Sequence, residues 1–263
     1  MSEAQPEESP YEEPLTGGNV ADAVVRVGTT VRKPITPATA AVEAVLTHLH
    51  QVGFSAAPRT LGRDDQGRHV LECIPGALAD TLPAFTAQEL RRLGALIREL
   101  HDVMATFTPP ADAQWTVAIP DPTGGQLICH HDLAPWNLVI DGDRWTFIDW
   151  DGAGPGSPLW DLGYAAHGFV PLVPGGVPAA DAPRLRALAD GYDLDDDLRR
   201  EFPAMIAAHT RGMFDLLTCG ARTGVQPWSR LHAEGHADHW GPAADYIETH
   251  HATWLAALAR DKR

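Results

Sequence analysis

The segment ICHHDLAPWNLVIDGDRWTFIDWDG, residues 128–152, constrains the fold of this chain most, because it holds two short apolar strands joined by a tight turn. The first strand, LVI, starts directly after Asn137. The turn at residues 141–143 consists of Asp, Gly and Asp, which are typical turn residues. The second strand, WTFI, ends at Asp149. This pattern predicts an antiparallel hairpin that brings Asp149 close to Asn137.

The side chains around this hairpin match the requirements of phosphoryl transfer. Asp132 precedes Asn137 in the pattern His130-x-Asp-x-x-x-x-Asn. The reaction needs a carboxylate that orients the attacking hydroxyl and accepts its proton, and oxygen ligands that hold Mg²⁺ between the β- and γ-phosphates. We therefore predict that Asp132 is the catalytic base and that Asn137 and Asp149 are the Mg²⁺ ligands. The alternative is an ordinary hairpin with Asp and Asn in its turns, in which residue types, spacing and strand coincide by chance.

These motifs resemble those of the aminoglycoside phosphotransferase and choline kinase-like families, which share the protein-kinase fold. Those families usually carry His-Gly-Asp where this chain has His130-His131-Asp132, and Ile148-Asp149-Trp150-Asp151 stands at their metal-binding motif. The absence of Arg before Asp132, and of an Ala-Pro-Glu segment downstream, favours small-molecule kinases over protein kinases. The resemblance covers most of the chain. It is strong over residues 128–163, moderate over 15–76 and weak beyond 165.

The resemblance and the order of elements imply an α+β, protein-kinase-like fold with two lobes. A small β-rich N-terminal lobe would precede a larger, mainly helical C-terminal lobe. Short β-branched runs on either side of Gly28 predict a hairpin, and the T-x-x-E sequence at Thr86 predicts the capped start of a long helix. We expect an acidic disordered tail (1–13), a nucleotide-binding lobe (14–75) with its hinge near residues 71–76, and a catalytic and substrate-binding lobe (77–263).

The small lobe should supply a basic side chain for the α- and β-phosphates. Arg32 and Lys33 compete for this role. Arg32 follows apolar Val31, and strand alternation directs it away from the core. Lys33 carries a point-charge ammonium, which is the usual partner of phosphate. The sequence leaves this choice open. The resemblance implies that Glu43, on the first helix, positions the base.

Two further elements of a nucleotide site follow from the resemblance. The backbone of Glu72 and Ile74 aligns with the hinge, where it would bond the edge of a purine, so their side chains do not distinguish ATP from GTP. Gly17-Gly18-Asn19 resembles the flexible turn that covers the phosphates. The chain has no GKS or GKT sequence and therefore no Walker loop.

The acceptor should bind between the Asp132 loop and the C-terminal helices. The acids that we consider candidates for contacting it are Asp151, Asp215, Glu234 and Asp238. Trp228 and Trp240 are candidates for stacking on a ring. Asp161, in the sequence WDLG, is expected to brace the loop rather than react.

A group of histidines suggests a competing interpretation. His232, His236 and His239 recur at helical spacing and would share one face of a helix, where they could ligate zinc or another transition metal. Gly235 and Gly241 weaken that helix. A solvent-facing or substrate-facing cluster is the alternative.

Charge and cysteine content limit the possible partners and compartments. A net charge of −15 opposes binding to a nucleic-acid backbone and is compatible with a cationic acceptor. Cys73, Cys129 and Cys219 fit no disulfide framework, which favours the cytoplasm. No apolar run is long enough to span a membrane, and the N-terminal residues lack the pattern of a signal peptide.

The predicted function is an ATP- or GTP-dependent O-phosphotransferase that acts on a hydroxyl of a small molecule, with an aminoglycoside or another antibiotic as the expected acceptor. The alternatives are a catalytically silent nucleotide-binding module and a kinase of a metabolic amino alcohol, nucleoside or sugar. The sequence does not indicate an oligomeric state.

Overall fold

The computed structural model describes residues 11–15 and 23–260. Its strands are β1 (Glu13–Pro14), β2 (Val25–Val27), β3 (Thr30–Lys33), β4 (Thr60–Arg63), β5 (His69–Glu72), β6 (Ala77–Leu78), β7 (Leu127–Cys129), β8 (Leu138–Asp141), β9 (Arg144–Phe147) and β10 (Gly154–Gly156). Its α-helices are α1 (Thr39–Gln51), α2 (Ala87–Met104), α3 (Pro158–Phe169), α4 (Pro178–Tyr192), α5 (Asp196–Thr223), α6 (Trp228–Ala233), α7 (Ala237–Thr249) and α8 (His251–Leu258). The predicted α+β fold with a β-rich first part and a mainly helical second part is confirmed.

The first part is a five-stranded antiparallel sheet in the order β1-β2-β3-β5-β4. The predicted hairpin turns at Gly28, whose φ of +59° lies in the left-handed region that glycine adopts without steric cost. Residues 1–10 of the predicted tail lie outside the described residues. Glu13 pairs with Arg26, so the described sheet already begins within the last residue of that predicted tail. Gly17-Gly18-Asn19 also lies outside the described residues.

The two parts share one continuous core. Val45 and Leu49 of α1 belong to the same buried cluster as Leu90 and Leu93 of α2 and Phe147 of β9. The backbone amide of Phe147 donates to the Ala56 carbonyl at 2.9 Å, which also connects the segment after α1 to the hairpin. The two parts therefore pack closely together. The boundary between lobes at residues 75–77 stays a prediction.

The predicted hairpin forms between β8 and β9, with Leu138 opposite Phe147 and Asp141 opposite Arg144. Strand β6 extends this sheet along β8, while β7 pairs with β10 in a separate two-stranded ladder. Leu138 and Phe147 are fully buried, because apolar residues at alternate positions of the hairpin face the core. The hairpin therefore fixes the ends of its two strands, where the predicted site residues lie.

Helices form the rest of the second part. The capping box predicted at Thr86 is present: the Thr86 side chain accepts from the Glu89 amide, and the Glu89 carboxylate accepts from the Thr86 amide at 2.7 Å. Within the described residues, no helix is both long and apolar enough to cross a membrane. A second, smaller apolar cluster lies among α3, α5, α6 and α7 and includes Ala134, Tyr164 and Trp240.

Candidate active site

The Asp132 loop, residues 130–137, connects β7 to β8 and is closed by its own side chains. Asn137 Nδ2 donates to Asp132 Oδ2 at 2.7 Å and to the Asp132 carbonyl at 3.0 Å. The Asn137 carbonyl accepts from the Ile148 amide at 2.8 Å, and His130 Nε2 donates to the Ile148 carbonyl at 3.1 Å. Because its Nδ2 is committed to Asp132, Asn137 offers Oδ1 as the atom that would bind a cation.

Asp161, in the first turn of α3, holds the beginning of this loop. Its buried carboxylate accepts from the backbone amides of His130 at 3.1 Å and His131 at 2.8 Å. It also accepts from His101 Nε2 at 3.1 Å, and Tyr192 OH lies 2.7 Å from the other nitrogen of that ring. Burial by itself would raise the pKa of Asp161, but the His101 hydrogen bond and the nearby imidazoles hold that pKa well below its ordinary value. Asp161 is therefore ionised, and it braces the loop as expected from the sequence.

The carboxyl group of Asp132 lies in an environment that favours its protonated form. Burial, and then the negative charge of Asp149, raise its pKa from 3.8 to about 6. Hydrogen bonds from Tyr164 and Asn137 partly oppose this shift, because they stabilise the carboxylate. A carboxyl group with a pKa this close to neutrality can accept a proton and release it again.

Sequence reasoning missed Tyr164. Its ring stacks on His209 with centroids 4.7 Å apart and lies parallel to Trp240 at 6.1 Å. Tyr164 follows Asp161 by three residues, so both side chains project from one face of α3 toward the Asp132 loop. The spacing within WDLGY was the signal that could have identified it.

Lys33, Asp149 and Asp151 form an acidic corner around one ammonium group. Lys33 Nζ lies 2.7 Å from Asp149 Oδ1 and 2.6 Å from Asp151 Oδ2. Although burial by itself would lower the pKa of Lys33, the two carboxylates raise it above its ordinary value, so the side chain is charged. Asp149 has a φ of +60°, which is uncommon for a residue with a side chain and is typical of functional sites. The oxygen atoms of Asp149 and Asn137 suit a hard divalent cation.

The structure separates the two candidate bases that the sequence left open. In the β3–β5 register, Lys33 stands opposite His69 and Arg32 opposite Val70, so the two side chains leave opposite faces of the strand. Arg32 bonds to the Thr30 hydroxyl and pairs with Asp64 at 3.4 Å. Lys33 therefore lies in the acidic corner and Arg32 does not.

Glu43 does not pair with Lys33 in this structure. Its carboxylate lies 3.5 Å from Arg63 Nε and 4.0 Å from His69 Nε2. The expected contact between Glu43 and the phosphate-binding base is thus absent from this arrangement of the described residues.

The predicted hinge lies at the end of β5. The Glu72 amide donates to the Arg59 carbonyl at 2.9 Å, and its carboxylate lies 3.3 Å from Arg144. A purine contact at Glu72 would consequently use its carbonyl oxygen. Ile74 is half-buried two residues beyond the strand.

The four candidate acids for the acceptor fall in two places. Asp151 belongs to the acidic corner. Asp215 is exposed on α5, Asp238 is exposed in the first turn of α7, and Glu234 pairs with Arg230 at 3.0 Å. The three distal acids thus mark the surfaces of α5 to α7 rather than the Asp132 loop.

The three histidines do not share one helix face as the sequence pattern suggested. His232 lies in α6, His236 precedes α7 and His239 lies within α7, because the turn at Gly235 breaks the helix between them. His239 Nε2 lies 3.2 Å from His167 Nε2 on α3. Elsewhere among the described residues, His101, Cys129 and Asp161 bring three potential metal-ligand atoms within 4.8 Å of one another. In that group, His101 and Asp161 already bond to each other.

The fold, the Asp132 loop and the acidic corner define the class of a protein-kinase-like phosphotransferase. Residues 113–201 match the phosphotransferase enzyme family. The chain is 30% identical over 259 residues to the trifolitoxin immunity protein of Rhizobium leguminosarum bv. trifolii, an alignment that spans 93% of this chain and 98% of that protein.

Solved structures share the fold. A choline/ethanolamine kinase family protein from Mesorhizobium loti superimposes with a TM-score of 0.61 at 19% identity, over 95% of this chain and 92% of that one. The amicoumacin kinase hAmiN, solved with AMP-PNP, Ca²⁺ and Ami, superimposes with a TM-score of 0.59 at 15% identity, over 88% and 87% of the two chains.

The chain belongs to the phosphotransferase enzyme family. It is an enzyme that transfers a phosphoryl group to a hydroxyl of a small molecule, as the sequence analysis predicted. Membership in the family implies ATP as the phosphate donor and a divalent metal ion as its partner.

Proposed function

We propose that this enzyme inactivates an antibiotic or a related toxic small molecule by phosphorylating one of its hydroxyls with Mg-ATP. The observation that carries this proposal is the similarity along nearly the whole chain to a protein named for immunity to a toxin. The fold shared with an amicoumacin kinase is compatible with it. The net charge of −15 would attract a cationic acceptor to the protein.

The geometry of the site supports the following assignment of roles. Asp132, held by Asn137 and Tyr164, would accept the proton of the acceptor hydroxyl while its oxygen attacks the γ-phosphorus. The new O–P bond forms as the bond between the γ-phosphorus and the β-phosphate oxygen breaks, and ADP leaves. Asn137 Oδ1 and Asp149 would hold Mg²⁺, which neutralises charge on the phosphates.

The remaining contacts would belong to the nucleotide. Lys33 would exchange its carboxylate partners in part for the α- and β-phosphates, so we assign it rather than Arg32 as the phosphate-binding base. The carbonyl of Glu72 and the backbone of Ile74 would bond the purine. Asp151 would assist in the acidic corner rather than contact the acceptor.

The test is phosphate transfer from Mg-ATP and Mg-GTP to a panel of acceptors, measured as ADP or GDP release and as a mass increase of the acceptor. The panel contains aminoglycosides, nucleoside and peptide-like antibiotics, choline, ethanolamine and simple sugars. Asp132→Asn should lose turnover by at least 10³-fold. Asp141→Asn, an exposed carboxylate in the turn of the same hairpin, is the matched control and should keep it.

Each outcome discriminates between functions. Turnover of an antibiotic, lost in Asp132→Asn, supports the proposal. Turnover that is confined to choline, ethanolamine or a sugar replaces it with a metabolic kinase. Nucleotide binding by calorimetry without turnover of any acceptor would favour the silent nucleotide-binding module.

A further inference from the structure

His131 occupies a backbone conformation that most side chains avoid. Its φ is +64°, in the left-handed region where non-glycine residues are uncommon. The families that the sequence resembles usually carry glycine at this position, directly before the catalytic aspartate. The local strain of a side chain here must be compensated by contacts in the surrounding structure.

The imidazole of His131 makes such contacts across the site. Its Nε2 lies 3.1 Å from the carbonyl oxygen of Gly154 and 3.1 Å from that of Pro155. Because both partners are acceptors, Nε2 carries the proton and donates to them. The buried Nδ1 has no hydrogen-bond partner among the described residues. The ring therefore adds a side-chain contact between the Asp132 loop and β10, beyond the β7–β10 backbone ladder in which Cys129 stands opposite Gly154.

Strand β10 leaves room for this ring because it has glycine at position 156. A Cβ added at Gly156 would lie 2.8 Å from His131 Cε1 and 3.0 Å from its Nε2, so the ring would have to shift to make room for it. The turn Trp150–Gly152 separates β10 from Asp149, which lies two residues beyond β9. A bond between His131 and β10 thus joins the residue next to Asp132 to the segment that follows Asp149.

The backbone bond from Asp161 cannot supply this connection. Asp161 accepts from the His131 amide, and any residue at this position would provide that amide. Glycine would keep the Asp161 bond and relieve the left-handed conformation, but it would lose both bonds to β10. This chain instead has His131 at the left-handed position, and Nε2 of its side chain donates the hydrogen bonds to β10.

We propose that His131 is a positioning residue that fixes the Asp132 loop against β10 and thereby sets the distance between the catalytic aspartate and the acidic corner. This inference rests on the proposed roles of Asp132 and Asp149. It goes beyond those roles because it assigns a separate function to His131, the second histidine of the His-His-Asp sequence. Catalysis requires reacting groups to be held within a fraction of an ångström of the productive geometry, so loss of this contact should affect the chemical step more than binding.

The test compares His131→Gly, His131→Ala, His131→Gln and Gly156→Ala with the wild type. We expect His131→Gly and His131→Ala to lower kcat at least 10-fold, with the Kd of Mg-ATP and the KM of the acceptor changed less than threefold. The glutamine amide reaches about as far as Nε2 of histidine, so His131→Gln should recover part of kcat relative to His131→Ala. Gly156→Ala should lower kcat by displacing the ring, although it leaves every proposed catalytic residue in place.

A double variant isolates the contact. In His131→Gly/Gly156→Ala the ring is absent, so the added methyl has nothing to displace and should cause little further loss beyond His131→Gly. Losses that multiply would show that the two residues act independently and would overturn the proposal. Full kcat in His131→Gly would overturn it as well, because only relief of strain would then matter. A rise in KM or Kd equal to the fall in kcat would indicate general damage and would also overturn it.

Hydrogen exchange gives a readout that does not depend on the acceptor. In His131→Gly the amides of residues 130–132 and of Gly154 and Gly156 should exchange faster than in the wild type, while those of α2 should not change. Unchanged exchange in both segments would refute the connection even where the proposed function holds. An inactive wild type would contradict the proposed function, and hydrogen exchange would still decide this inference.

Discussion

Replacement of Asp132 by asparagine should stabilise the metal-free protein at neutral pH while it removes activity. Burial and the charge of Asp149 raise the pKa of Asp132 from 3.8 to about 6, so the folded state favours the neutral carboxyl. An acid with a raised pKa confers its stabilisation fully below its unfolded pKa, and this stabilisation is lost as the pH rises through the folded pKa. A shift of roughly two pKa units corresponds to about 3 kcal/mol, which is the upper limit of the effect.

Asparagine has nearly the same shape as the neutral carboxyl and can still accept from Asn137 Nδ2. At pH 8 we therefore expect Asp132→Asn to increase the free energy of unfolding by about 1–3 kcal/mol. At pH 4.5 the wild-type carboxyl is already largely protonated in the folded state, so most of the difference should disappear.

The assay is urea denaturation at both pH values, with EDTA present so that metal does not compensate the charge of Asp149. Asp141→Asn, on the exposed turn of the same hairpin, should change stability by less than about 0.5 kcal/mol at either pH. A lower stability of Asp132→Asn at pH 8, or a difference independent of pH, would refute the reasoning that the environment of Asp132 opposes its charge.

Three further predictions follow from the contacts of the site. Lys33→Met should raise the Kd of Mg-ATP at least 10-fold in calorimetry, whereas Arg32→Met should change it less than threefold, and equal effects would contradict our choice of base. Asp161→Ala removes the acceptor of two loop amides and of a histidine, so it should lower the free energy of unfolding by about 3 kcal/mol or more in denaturant titrations; a loss under 1 kcal/mol would be inconsistent with its buried contacts. Tyr164→Phe removes a hydrogen bond that lowers the pKa of Asp132, so the acidic limb of the kcat/KM profile should move to higher pH by about one unit, and a limb that does not move would argue against this bond.

The hairpin could be predicted because its signals are local. Two apolar runs flank an Asp-Gly-Asp turn; the first run begins beside Asn137 and the second ends beside Asp149. The structure pairs those runs as expected and connects Asn137 to Ile148, the residue before Asp149. The capping box at Thr86 was predictable for the same reason, since both of its partners lie within four residues.

Contacts between distant segments could not be predicted. Tyr164 reaches Asp132, and His131 reaches Gly154, across 32 and 23 residues respectively. No periodicity encodes which residues meet across a helix–loop interface, and histidine or tyrosine at such positions is compatible with ordinary packing. The histidine pattern failed for a related reason, because one left-handed glycine, Gly235, rotated the later residues away from the face that helical spacing implied.

The choice between Arg32 and Lys33 shows what tertiary structure adds to a sequence argument. Neighbouring residues of a strand face opposite sides, so only one of them can meet Asp149, which lies 116 residues further along the chain. Burying an ammonium group is costly unless carboxylates accompany it. Lys33 is 7% exposed, and the carboxylates that accompany it both belong to the hairpin segment. These ion pairs consequently help to hold the first part of the chain against the second, in addition to the apolar core that both parts share. A variant that weakens the acidic corner should therefore loosen the contact between β3 and the hairpin as well as reduce the affinity for nucleotide.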